Sequence, residues 1–208
     1  MKKNKSEIVI VLDRSGSMST IKNDIELGFK AFLEKQKLIE GEAYVTLYQF
    51  DNSHEKVFEL KDIKDVTGVN IEPRGGTALI DSVCKAINEV GERLSNTPED
   101  DRPESVIVIV LTDGEENQSR EFTLEQMKEK VSHQQDVYKW NFVFLGTNID
   151  AISVAQGYGM SLGSTLGFTK VGISSTFDSL ADATTEYRAC RAYSFTEEDR
   201  TKASKGAS

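Results

Sequence analysis

The stretch IVIVLDRSGSMST, residues 8–20, decides the fold. Its first five residues are apolar without a break. A strand with one wet face alternates, whereas an uninterrupted β-branched run suits a strand buried on both faces of a parallel sheet. The run ends abruptly in Asp13, and Ser15 and Ser17 follow at every second position with Gly16 between them. One acid and two hydroxyls therefore stand where a buried strand gives way to a loop.

Working outward, a helix is expected to start near Met18 or Ser19, because Ile21, Ile25, Phe29, Phe32 and Leu33 recur at three- and four-residue spacing. Residues 43–51 alternate and are rich in β-formers, Asp51-Asn52-Ser53 is a turn signal, and residues 56–60 read as a short strand. The pair predicts a hairpin whose outer strand is an antiparallel edge. EPRGGTALIDSV, residues 72–83, opens as a Pro- and Gly-punctuated loop and continues as a helix with Leu79, Val83, Ile87, Val90 and Leu94 inward. SNTPEDDRPE, residues 95–104, is a surface loop. SVIVIVL, residues 105–111, is the second strong strand and ends in Thr112-Asp113-Gly114.

Residues 123–134 form a helix with Thr123 as N-cap and Gln126 three positions on. WNFVFL, residues 140–145, is another buried strand; residues 149–158 read as a short helix, 163–169 as a weak strand and 174–193 as a final helix. Residues 1–6 read as an extension, 7–194 as one domain, and 195–208 as a disordered tail with nothing to bury. Strands alternating with helices imply a doubly wound α/β domain: a mostly parallel sheet, one antiparallel edge strand, and helices on both faces. In such sheets ligands bind beyond the carboxyl ends of the strands. Asp13-x-Ser15-x-Ser17, Gly75-Gly76-Thr77 and Thr112-Asp113-Gly114 all fall there.

With 25 Lys and Arg against 34 Asp and Glu, the net charge is −9, which disfavours nonspecific nucleic-acid binding. No apolar run is long enough for a membrane span, and residues 8–12 are too short for a signal-peptide core. The expectation is a cytoplasmic protein that engages neither membrane nor nucleic acid. Cys84 and Cys190 read as reduced core thiols, and His54 and His133 stand at no zinc-ligand spacing to them.

The candidate ligands are Asp13, Ser15, Ser17, Thr77 and Asp113, all oxygen donors. Such a shell suits a hard dication, Mg²⁺, Mn²⁺ or Ca²⁺. Two carboxylates balance its charge and three neutral hydroxyls leave it Lewis-acidic, with room for an incoming carboxylate. LDRSGSM, GGTAL and LTDG in this order resemble the von Willebrand factor A (vWA) domain family and its metal-ion-dependent adhesion site, over roughly residues 7–193. The resemblance implies a Rossmann-like vWA domain of the intracellular bacterial or bacteriophage type. It implies that Ser15, Ser17 and Thr77 contact the cation through hydroxyls. Asp13 and Asp113 bind it directly or through water, and an acidic side chain of a partner protein completes the shell. It also implies coupling to movement of the last helix. Asp81, Glu115 and Glu116 are extra acids near the rim; Glu115 or Glu116 is a further candidate for the open metal position, and Asp81 reads as a first-turn acid.

The expected function is a non-catalytic, cation-dependent protein-interaction module. Two alternatives stand beside it. A metal-dependent hydrolase or phosphoryl-transfer enzyme using Asp13 would need a second acid and a charge-neutralising Lys, and Arg14 and Ser15 follow Asp13 instead. A regulatory subunit with a purely structural metal is the other.

Overall fold

A computed structural model of the chain describes residues 1–147 and 155–206. β1 (Lys2–Asp13) runs through the middle of a six-stranded sheet with β2 (Glu42–Phe50), β3 (His54–Asp62), β4 (Pro103–Thr112), β5 (Asn141–Thr147) and β6 (Thr165–Phe168). The strand order is β3-β2-β1-β4-β5-β6. All neighbours are parallel except β2 and β3, which form the expected hairpin with an antiparallel edge.

The unbroken apolar runs are explained by two cores, one on each face. Ile8, Ile10 and Leu12 of β1 and Ile107, Ile109 and Leu111 of β4 point to the face covered by α1 (Lys22–Lys37) and α4 (Ile173–Arg188). Val9, Val11, Val108 and Val110 point to the face covered by α2 (Leu79–Ser95) and α3 (Leu124–Tyr138). Gly28 lets α1 and α4 approach, because a Cβ there would overlap the Phe177 ring. α3 begins at the capping box predicted from Thr123 and Gln126. The chain is thus a doubly wound α/β domain with helices on both faces. Among the described residues no helix is long and apolar enough to cross a membrane.

Both ends depart from the sequence reading. Residues 2–6 are not a separate extension but continue β1, with Lys2 opposite Pro103 and Lys5 opposite Glu42. Nor is the segment from residue 195 onward disordered through residue 206. Phe195 is buried, and Glu197–Lys205 form α5 behind a capping box of Thr196 and Asp199. This helix docks by backbone: Thr169 N–H donates to Ala203 O at 3.0 Å, and a Cβ on Gly172 would collide with that carbonyl. The Arg200 guanidinium donates to Thr165 O and Leu162 O, both at 2.8 Å, so α5 lies along the β6 edge of the sheet.

Cys84 is buried as expected, but Cys190 is exposed, because the chain turns there with φ +54 just past α4. The short helix read over residues 149–158 lies mainly outside the described residues.

Candidate metal centre

From β1 the chain proceeds to β2 on one side, whereas β4, the neighbour on the other side, leads to β5. The carboxyl ends of β1 and β4 therefore flank the point where strand order reverses, which is where doubly wound sheets open a crevice. Asp13 is the last residue of β1, Thr112 the last of β4, and Asp113 follows it.

Asp13 is fully buried. Its Oδ1 accepts the Ser15 N–H at 2.6 Å, the bond that an Asp two residues before the acceptor's partner makes readily, and its Oδ2 accepts the Thr112 hydroxyl at 2.6 Å. The Ser15 and Ser17 Oγ atoms lie 3.0 Å apart, and the Ser17 hydroxyl donates to Asp113 Oδ1 at 2.6 Å. Gly16 N–H donates to Gly75 O at 3.1 Å and Arg74 N–H to Arg14 O at 2.8 Å, which lays the Gly75-Gly76-Thr77 loop over the serine loop. Gly75 sits at φ +68, a conformation that favours glycine.

The position of Gly114 reveals how these oxygens point. A Cβ built there would lie 3.2 Å from Thr77 Oγ1, 3.5 Å from Ser17 Oγ and 4.0 Å from Ser15 Oγ. Three hydroxyls from two loops thus face one small volume that only the missing side chain keeps open. Among the described residues no three of His, Cys, Asp or Glu gather around a common point, so a cation here would depend on the hydroxyl oxygens. The all-oxygen donor set and the cradle at Gly114 fit a hard dication.

The electrostatics point the same way. Burial pushes the Asp13 carboxyl up to about 6 despite the hydrogen bonds from Thr112 and Ser15, and the nearby Asp113 adds to the rise. Burial also raises Asp113, against the Ser17 hydrogen bond. Among the described residues neither carboxylate has a Lys or Arg within ion-pairing distance. Arg14, inside the motif, turns away to Asp51 at 2.9 Å and Glu55 at 2.6 Å.

Sequence reasoning placed the five oxygen donors but missed the residues that hold their loops. Asp51 binds both Arg14 and Arg74, the latter at 2.7 Å, and so ties the serine loop to the Thr77 loop. Asn52 Oδ1 accepts the Gly76 N–H at 2.6 Å, and Asn117 Oδ1 accepts the Thr77 N–H at 3.0 Å. Their only sequence signal is proximity to turn residues. Glu116 is occupied away from the hydroxyl cradle, accepting the N–H groups of Ile80, Gln118 and Ser119, so the sequence reading of it as a resting metal ligand gives way. Asp81 is more than a first-turn acid: its carboxylate accepts the N–H groups of Arg120, Glu121 and Phe122. Glu115 is exposed.

The model of the von Willebrand factor type A domain matches residues 7–186. The chain belongs to that family. Known vWA domains include protein-interaction and adhesion modules. Solved structures agree on the fold at low identity. The vWF domain of the type V pili tip protein Mfa5 from Porphyromonas gingivalis is 10% identical with a TM-score of 0.62, over 92% of this chain and 98% of that one. Proximal thread matrix protein 1 from the mussel byssus is 16% identical with a TM-score of 0.61, over 89% of this chain. The chain spans about half of that protein's length, 47%. The pilus adhesin SpaC from Lactobacillus rhamnosus GG, in an open conformation, is 14% identical with a TM-score of 0.63, over 89% of this chain and 30% of that one. No curated protein sequence matches the chain.

Proposed function

We propose that this vWA domain is a divalent-cation-dependent protein-interaction module without catalytic activity. Asp13, Ser15, Ser17, Thr77 and Asp113 hold Mg²⁺, or Mn²⁺ or Ca²⁺, and an Asp or Glu of a partner protein completes the shell. The observation that carries this reading is the convergence of three hydroxyls on the space before Gly114, beside two carboxylates that no cationic side chain neutralises. Buried acids without a counter-charge are costly, and a dication supplies that charge. With only two carboxylates in the set, the bound cation keeps affinity for a third from outside. The adhesive and structural titles of the solved relatives support a binding rather than a catalytic role. The net charge of −9 supports a protein partner over nucleic acid, and a cytoplasmic setting remains part of the proposal.

Affinity capture from a host lysate tests the reading. A partner is expected to be retained in Mg²⁺, released by EDTA, and not captured by Thr77→Ala. A partner retained equally in EDTA and by Thr77→Ala contradicts it.

A further inference from the structure

Each helix begins with backbone N–H groups that have no partner inside the helix. α2 begins directly after Thr77, and its N-cap residue, Ala78, has no side chain able to satisfy them. The partners come instead from the loop that carries Asp113. Glu116 Oε2 accepts the Ile80 N–H at 2.9 Å, and Ser119 Oγ accepts the Asp81 N–H at 3.0 Å. Glu116 also fixes its own loop, with Oε1 accepting Gln118 N–H at 2.9 Å and Ser119 N–H at 2.7 Å.

The helix returns the contact. Asp81, in the first turn of α2 and nearly buried, accepts the N–H groups of Arg120, Glu121 and Phe122 at 2.8 to 3.1 Å. Two carboxylates thus cross between the same two segments in opposite directions. Each satisfies donors that its own segment leaves bare. The crossing lies three residues from Asp113 on one strand of chain and three from Thr77 on the other.

We infer that Glu116 and Asp81 are positioning residues of the metal centre: their reciprocal clamp sets the separation of Thr77 from Asp113 and so the affinity for the cation. This rests on the metal reading above. A cation shell tolerates little displacement of its oxygens, and loss of an outer partner that orients metal ligands typically weakens metal binding by about 10–100-fold. The clamp is also an N-cap supplied from elsewhere in the chain, so a rise in α2 fraying would move Thr77 directly.

The test is Mn²⁺ titration by isothermal calorimetry on the full chain and four variants, with circular dichroism and Tm measured on the metal-free forms. Glu116→Ala is expected to weaken Mn²⁺ binding by about 10–100-fold. Glu116→Gln keeps one acceptor oxygen and is expected to recover part of that loss. Glu115→Ala removes the same charge one residue away from an exposed position, and Thr123→Ala removes a helix cap remote from the site. Both are expected to bind Mn²⁺ close to the level of the unaltered chain. If folded Glu116→Ala or Glu116→Gln binds Mn²⁺ as the unaltered chain does, the clamp plays no positioning part and the inference falls alone. Equal weakening in Glu115→Ala overturns it as well, since charge would suffice. An unaltered chain that binds no Mn²⁺ overturns the metal reading and this inference together.

Discussion

Two buried aspartates stand at the ends of adjacent strands and live in opposite surroundings. Asp51, just past β2, holds the guanidinium groups of Arg14 and Arg74. Burial alone would raise its carboxyl, but Arg74, the Ser53 N–H and hydroxyl, and the Arg14 charge outweigh burial and hold it down at about 2. Asp13, at the end of β1, is as deeply buried and meets only hydroxyls and one N–H, and it is pushed up to about 6. Ordinary structural acids inside proteins are paired. The unpaired one is the one whose counter-charge has to come from outside the chain. Arg14 makes the contrast sharper, because a cation lies next to Asp13 in sequence and the fold directs it to Asp51.

The largest effect expected is at the cradle. Gly114→Ala would put a methyl group among the Thr77, Ser17 and Ser15 hydroxyls. Mn²⁺ affinity should drop beyond calorimetric detection while the fold, judged by circular dichroism, persists. Next comes Asp51→Ala, which leaves Arg14 buried with only the half-exposed Glu55 to face. Breaking a buried pair from one side costs about 3–5 kcal/mol, and Glu55 should keep the loss near about 3 kcal/mol in urea unfolding.

Asp13→Asn should act in the other direction on the metal-free protein. A carboxyl whose folded value is about 6 keeps its proton between about pH 4 and pH 6 while the unfolded chain has lost it. Its contribution therefore lowers stability as pH rises through that window, by about 2–3 kcal/mol in total. Metal-free Asp13→Asn is expected to lack this decline and to be the more stable protein at pH 7, whereas saturating Mg²⁺ should stabilise only the unaltered chain. Asp51 behaves oppositely. Its depressed value means stability that is present above about pH 4 and lost as pH falls toward 2. The smallest effect expected is from Thr196→Ala, remote from both aspartates. Loss of the α5 capping box should cost about 1 kcal/mol and leave Mn²⁺ binding unchanged.

What the sequence made legible follows from how each feature is encoded. β1, β4 and β5 are buried on two faces, so they appear as unbroken apolar runs, and the five oxygen donors appear as short spaced motifs at strand ends. α5 escaped because it buries backbone and a single Ala203 rather than an apolar stripe; the Thr196-x-x-Asp199 capping pattern was its only local signal. Residues 2–5 escaped because pairing of main chain, not side-chain burial, adds them to β1. The clamps around the site were illegible for a different reason. Asp51 with Arg14, Asn117 with Thr77, and Glu116 with Ile80 join positions 37, 40 and 36 residues apart. Only the folded sheet brings them together, and no local spacing records the bond. Strand ends announce what could bind a ligand, while the partners that aim those groups are visible only in three dimensions.

The most direct measurement is anomalous diffraction from crystals soaked in Mn²⁺. A single strong peak is expected before Gly114, within bonding or water-bridged distance of the Ser15, Ser17 and Thr77 hydroxyls and the Asp13 and Asp113 carboxylates. Well-ordered loops with no peak there, or with Mn²⁺ bound only elsewhere, would contradict a metal centre built from these five residues.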